Sequence, residues 1–295
     1  MPEGHTLHRL ASQINRLFAG RTWRVTSPQG RFDAGAARLT GRAPERAEAH
    51  GKQLFVHLGP DIWQVHLGLY GAFSFRGDES FSGADTLGAP RTKTQTLSPE
   101  YDEAGWIVPE APAGAVRARV HVPNGWADLR GPSKCQVLSP MQYEAVTRRL
   151  GPDPLHQPDG QIDAALAAQF QQNLARRRVS VGAALMDQAV IAGVGNIYRA
   201  ESLFAEGISP DVASAVLAEE QSAALWARLT AQLRDGVAEG RIRTLRPGEE
   251  RRQPQRRHWV YQHQGTPCLR CGEIIRMREL QGRRLYWCPG CQLVP

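Results

Sequence analysis

Cys268-Leu269-Arg270-Cys271 and, after a sixteen-residue interval rich in arginine, Cys288-Pro289-Gly290-Cys291 close the chain. Two Cys-x-x-Cys pairs at this spacing suit a tetrahedral site built on two knuckles joined by a β-hairpin, and four thiolates favour zinc. With Cys268, Cys271, Cys288 and Cys291 all ligating, no coordination position stays open. One Zn2+ held in this way is structural, and any chemistry must come from elsewhere. A disulfide pairing is the competing reading, and it fares worse because the first twenty residues do not read as a secretory signal. The fifth cysteine, Cys135, is expected to be a free buried thiol.

Charge points to what the hairpin touches. Lys+Arg number 36 against 29 Asp+Glu, a net charge of +7, and the pI is about 9.5. From Arg241 to Pro295 there are twelve Lys/Arg and four Asp/Glu, so +8 sits in the tail and −1 in everything before it. Arg251, Arg252, Arg256 and Arg257 lead into the hairpin, and Trp259, Tyr261, Tyr286 and Trp287 are interleaved, a pattern common on nucleic-acid surfaces. The alternative is a solvated linker beside the aromatic core of a small domain. No apolar run is long enough to cross a membrane. The expectation is a soluble protein of a reducing compartment, with a polyanion as partner.

The preceding 240 or so residues change character once. Leu7, Leu10, Ala11, Ile14, Leu17 and Phe18 recur at spacings of three and four, which predicts an amphipathic helix ending before Gly20. Short runs broken by Gly and Pro follow, at Trp23–Thr26, Gln53–Leu58, Trp63–Leu67, Ala72–Phe75, Trp106–Val108 and Val116–Val122. This rhythm is antiparallel β, as a sandwich or flattened barrel. The stretch Arg76–Tyr101 reads as a long mobile loop. After Pro140, helical periodicity runs through Tyr143–Leu150, Ile162–Leu174, Val181–Ala189, Ile197–Phe204 and Glu219–Gly236. Between two of these helices, Gly193-Val194-Gly195-Asn196 opens a helix, where backbone N–H groups favour a phosphate; a tight turn between packed helices needs the same residues.

The N-terminus reads Met1-Pro2-Glu3-Gly4. A small second residue normally allows removal of the initiator methionine, leaving Pro2 as a terminal secondary amine. Such an amine can attack a sugar C1′ and collapse to an electron-withdrawing iminium, and Glu3 beside it can move protons. An α-amino group titrates at roughly 7.7–8.0, so part of it is unprotonated near neutrality.

Six motifs then fall in one order: Met1-Pro2-Glu3-Gly4, His50-Gly51-Lys52-Gln53-Leu54-Phe55, His66-Leu67-Gly68-Leu69-Tyr70-Gly71, Arg149-Leu150-Gly151-Pro152-Asp153, Leu185-Met186-Asp187-Gln188 with Gly193-Val194-Gly195-Asn196-Ile197-Tyr198, and the cysteine module. Over nearly its whole length the chain resembles the formamidopyrimidine-DNA glycosylase and endonuclease VIII family, nearest the actinobacterial endonuclease VIII form. The resemblance implies an α+β multidomain fold: an antiparallel β-sandwich with an N-terminal helix (1–135), a helix-two-turn-helix domain (136–245), then a basic linker and zinc-finger β-hairpin (246–295). It also implies a bacterial, cytoplasmic base-excision-repair enzyme that acts on damaged DNA as a monomer. Such enzymes are bifunctional glycosylase/AP lyases that flip the damaged nucleotide into a pocket.

By the same resemblance, Pro2 is the nucleophile and Glu3 the acid that protonates the opening sugar. Lys52 and Arg283 assist β- and δ-elimination and hold phosphates, with Arg284 as a competing choice for the latter. Asn196 and Arg149 contact DNA, and Leu69 and Tyr70 plug the space left by the flipped base, or else are strand-end core. Only Lys52, Lys93 and Lys134 are lysines, against thirty-three arginines, so a lysine at 52 marks a place where the compact ammonium matters. Three positions depart from the family pattern. Thr6 replaces a glutamate, Gly68 replaces the glutamine before Leu-Tyr, and Asp128-Leu129-Arg130-Gly131 lacks an Arg-Phe-Gly element, which argues against a strong preference for 8-oxoguanine opposite cytosine. Oxidised pyrimidines are the expected substrates, with no redox cofactor. Two rivals remain: a non-catalytic zinc-containing damaged-DNA-binding protein, and an AP lyase with little glycosylase activity.

Overall fold

A computed structural model describes residues 2–89, 99–158, 161–245 and 256–293. The chain divides into two compact units, Met1–Arg148 and Arg149–Pro295.

The first unit is built on helix α1 (Gly4–Phe18) and two antiparallel sheets. The strands are β1 (Arg24–Thr26), β2 (Arg46–His50), β3 (Gln53–Leu58), β4 (Asp61–His66), β5 (Ala72–Gly77), β6 (Thr86–Gly88), β7 (Val116–Val122), β8 (Gly125–Arg130) and β9 (Lys134–Leu138), with helices α2 (Asp33–Leu39) and α3 (Pro140–Thr147) at the edges. One sheet runs β1-β7-β8-β5-β6 and the other β2-β3-β4-β9. All six apolar positions read from the α1 periodicity are buried, and they pack with Trp23, Leu54, Trp63, Phe73 and Leu129 into one core. Each buried leucine, isoleucine or phenylalanine among them contributes on the order of 1.5–3 kcal/mol. Behind the second sheet, Phe55, Ile62 and Leu138 face Tyr143 and Val146 of α3.

Two readings of this unit are corrected. Trp106–Val108 is no strand: only an isolated bridge, Tyr101 to Ile107, forms there. Trp106 and Ile107 instead lie against β1 and β7, while Val108 is exposed. The His121 ring meets the Ile107 carbonyl at 2.8 Å, and Trp106 lies 3.8 Å from the Arg24 guanidinium. The supposed loop from Arg76 also contains β6, paired with β5; residues 90–98 of that loop lie outside the described ones.

The second unit contains α4 (Ala164–Ala175), α5 (Val181–Ala184), α6 (Asn196–Ala205), α7 (Glu219–Glu239) and the hairpin β10 (Arg276–Leu280) and β11 (Arg283–Trp287). The helix expected through Ala189 stops at Ala184: past Leu185 the bonds tighten, Met186 N–H to Ala183 and Asp187 N–H to Ala184, and the Asp187 carboxylate then accepts the Ala189 N–H. Nine of the ten α6 residues are buried. One face joins Phe170, Leu185, Val190, Trp226 and Leu229 in the helical core. The other puts Ala200 and Phe204 against Val260, Ile275, Tyr286 and two of the cysteines.

The basic, aromatic lead-in is also corrected. Trp259 stacks on Phe204 with ring centroids 5.5 Å apart, and Tyr261 meets Tyr286 at 5.2 Å. Arg256 is buried and donates to the carbonyls of His258 and Trp259. Trp259, Tyr261, Tyr286 and Arg256 therefore belong to the small domain's own core, while Arg257 is exposed. Arg251 and Arg252 lie outside the described residues.

Candidate functional site

In the first unit, α1 runs antiparallel to β2. The Gly20 N–H donates to the Pro44 carbonyl at 2.9 Å, while Asn15 donates to the Ala47 carbonyl at 2.8 Å and accepts the Ala47 N–H at 2.6 Å. Moving back along the helix is therefore moving forward along β2. From Asn15 to Glu3 is about 18 Å of helix, and from Ala47 to His50, where β2 gives way to the turn, roughly 10 Å of strand. The Pro2–Glu3 end of α1 and the β2–β3 turn that carries Lys52 therefore lie toward the same end of the sheet. Pro2 is buried and Glu3 is fully buried at the helix N-cap. Lys52 is half-buried, in a turn that Gly51 opens at φ +58°. Thr6 is buried, with its hydroxyl 3.2 Å from the His5 ring.

Leu69 and Tyr70 occupy the tip of the β4–β5 turn and are 47% and 76% exposed, which overturns the reading of them as strand-end core. Gly71 is required there. Its N–H bonds the Leu67 carbonyl at 2.9 Å, and a Cβ would lie 2.2 Å from that oxygen. Beside the turn, His66 is held neutral: burial, then Lys52 and Lys134, push its pKa down to about 4. Arg130 is tied to its own sheet through Asp128, Ser74 and the Ala113 carbonyl.

In the second unit three of the six motifs meet. The Gly151 N–H donates to the Gln188 carbonyl at 2.8 Å and the Ala192 N–H to Pro152 at 3.0 Å, so the Arg149–Asp153 segment packs on the turn before α6. Arg149 itself is exposed. Gln188 bonds Gly193 and Val194, at 3.0 Å each, and so shapes the glycine turn. The Asn196 amide then donates 2.9 Å to the Arg284 carbonyl in the hairpin. Arg283, at the hairpin tip, lines a cleft of about 430 Å³ with Arg177, Val179, Met186 and Asp187. Arg284 stands opposite Glu279 in register.

Two residues that pattern alone does not single out hold this arrangement. Arg199 is buried and donates to the Asn196 side chain, to the Arg284 carbonyl at 3.0 Å and to the Gly182 carbonyl at 3.3 Å. Glu201, fully buried, accepts the N–H groups of Trp259, Val260 and Tyr261 at 2.7–2.9 Å and the Thr244 hydroxyl. The available signal was two charges inside the apolar stripe of one helix, since buried charges need partners.

The cysteines fit a metal. Their four sulfurs lie within 4.8 Å of one another, with Cys271–Cys288 at 3.4 Å and Cys268–Cys291 at 3.9 Å. A tetrahedron with metal–sulfur bonds of about 2.3 Å needs sulfurs about 3.8 Å apart, whereas a disulfide needs about 2.05 Å. None of the five cysteines is in a disulfide. Cys135 is half-buried, its thiol pushed up to about 11 by burial.

The formamidopyrimidine-DNA glycosylase N-terminal domain matches residues 1–106, and the formamidopyrimidine-DNA glycosylase H2TH domain matches 150–246. Endonuclease 8 1 of Mycobacterium tuberculosis is 40% identical over 298 aligned positions, covering 99% of this chain and all of its own length. The chain belongs to the formamidopyrimidine-DNA glycosylase/endonuclease 8 family. Members of this family are DNA glycosylases with AP lyase activity, and this chain is such an enzyme of base excision repair. The formamidopyrimidine-DNA glycosylase of Rhodopseudomonas palustris is 31% identical, over 87% of this chain and 86% of its own length. Among solved structures, the MutM (Fpg) protein of Thermus thermophilus superposes with a TM-score of 0.72 at 25% identity, covering 99% of this chain and 98% of its own. The Lactococcus lactis Fpg bound to abasic-site DNA shares the fold, with a TM-score of 0.71 at 20% identity over 98% and 99% of the two chains. No helix among the described residues is long and apolar enough to cross a membrane.

Proposed function

We propose that the chain excises oxidised bases, pyrimidines before purines, through an imine on Pro2 followed by β,δ-elimination. With Met1 removed, the Pro2 nitrogen bonds to C1′ as the base leaves with its glycosidic electrons, and Glu3 protonates the opening sugar oxygen. The iminium acidifies the C2′ proton; its loss expels the 3′ phosphate, and a second elimination expels the 5′ phosphate, leaving a one-nucleotide gap. Lys52 serves the first elimination, and the Arg283 fork holds a phosphate in the second. Asn196 and Arg149 grip the backbone, while Leu69 and Tyr70 fill the vacated space in the stack. Cys268, Cys271, Cys288 and Cys291 hold one structural zinc.

The observation that carries this reading is the antiparallel run of α1 along β2, which supports a shared position for the terminal amine, a buried carboxyl and the one lysine of the His50–Phe55 motif. The tied-back Arg130 supports a weak demand on the opposite base. Borohydride trapping on a thymine-glycol duplex tests it: the mature protein forms a covalent adduct, and Pro2→Gly diminishes it. An undiminished adduct in Pro2→Gly, or none in the mature protein, overturns the assignment.

A further inference from the structure

The missing side chain at Gly68 has a substitute in space. A Cβ on Gly68 would meet both Cβ and Oγ of Ser133 at 3.1 Å, and the residue sits at φ +67°. Ser133, on the β8–β9 turn, therefore occupies the volume that a side chain at 68 would need. It is also bonded to the strand end behind the Leu69–Tyr70 tip: its N–H donates to the His66 carbonyl at 2.9 Å, and its hydroxyl lies 3.1 Å from that oxygen and 2.7 Å from His66 Nδ1. The Gly68 N–H donates to the same Nδ1 at 3.0 Å. An Nδ1 that accepts must be unprotonated, so the neutral ring carries its proton on Nε2. Gly131 brings the same β8–β9 turn against Tyr70, since a Cβ there would lie 3.1 Å from the Tyr70 carbonyl.

An exposed turn tip keeps one projection only where the backbone beside it is held; otherwise it samples many. Here the backbone before the tip is hydrogen-bonded to one external turn, and the backbone at Tyr70 packs closely against the same turn. We propose that Ser133, acting through His66, is the positioning residue that holds Leu69 and Tyr70 projecting, in place of the side chain absent at Gly68. This rests on the reading of Leu69 and Tyr70 as the wedge. Neither Ser133 nor His66 need touch DNA for it.

The test uses the full-length mature protein and a lesion duplex carrying 2-aminopurine opposite the lesion, whose fluorescence reports flipping. Ser133→Ala removes the hydroxyl from an exposed position, and lowers the flipping constant by about threefold to tenfold, the worth of one hydrogen bond. Ser133→Thr restores it, and borohydride trapping on an abasic single strand, which needs no wedge, is unchanged in both. Wild-type flipping in Ser133→Ala, an equal loss on the single strand, or failure of Ser133→Thr to restore flipping overturns the proposal. Leu69→Ala and Tyr70→Ala separate the two ideas. If they reduce flipping while Ser133→Ala does not, only the clasp falls; if they leave it intact, the wedge reading falls and takes the clasp with it.

Discussion

Glu201→Gln is the most informative single change in the second unit. The carboxylate sits fully buried in α6 and takes four donors: Val260 and Tyr261 N–H on one oxygen, Trp259 N–H and the Thr244 hydroxyl on the other. Glutamine preserves the volume but turns one oxygen into an NH2, which faces at least one donor whichever way it is flipped. The loss is one or two hydrogen bonds to a charged acceptor, about 1.5–3 kcal/mol each, with an unsatisfied buried N–H left behind, about 1–3 kcal/mol. A cost of about 3–5 kcal/mol follows, or a fall of about 8–15 °C in Tm for a unit of this size. Because these donors fix the segment that leads into the cysteine hairpin, proteolysis between Arg256 and His263 should accelerate and DNA affinity should fall, while trapping at saturating protein persists. Calorimetry and limited proteolysis read both effects. A Tm within about 2 °C of wild type would refute the claim that this carboxylate anchors the hairpin segment.

Chelation, or Cys288→Ser, should release zinc and unfold the hairpin, weakening DNA binding; metal analysis with circular dichroism checks this, and equal binding by metal-free protein contradicts it. Lys52→Ala and Arg283→Ala should each slow strand cleavage by tenfold or more, an order-of-magnitude expectation for a positioned proton-transfer or phosphate group, as denaturing gels would show. Gly71→Ala drives a Cβ into the Leu67 carbonyl and should cost about 1–3 kcal/mol in urea unfolding. His66 and His263 both have pKa values pushed down to about 4, first by burial. Each neutral ring therefore lends its full stability above its ordinary pKa near 6.5 and loses it as pH falls towards 4. NMR titration should find both uncharged at pH 5.5, and a midpoint near 6.5 for either would contradict the burial argument.

Local pattern carried part of the fold and stopped where partners are distant. Gln53–Leu58 and Val116–Val122 are legible because apolar, β-branched runs bounded by turns have one local outcome. β2 reads Arg-Ala-Glu-Ala-His, which has little strand propensity of its own; it is a strand because its small buried residues lie under α1 beside Asn15. Trp259, Tyr261 and Tyr286 illustrate the converse, since composition cannot tell an aromatic surface from an aromatic core.

The sequence by itself determined the metal-type cysteine set, the α1 stripe, the alternation of β and helical regions, and the ordered motifs with Pro2, Glu3, Lys52 and Asn196. These are properties of neighbours a few residues apart, where spacing and side-chain type suffice. Tertiary structure alone decided the direction of α1 along β2, the exposure of Leu69 and Tyr70, the burial of Arg199, Glu201 and Arg256, and the meeting of Gly68 with Ser133. Each of these depends on which distant segment fills a given volume or satisfies a given donor, and close packing settles that only when the chain has folded.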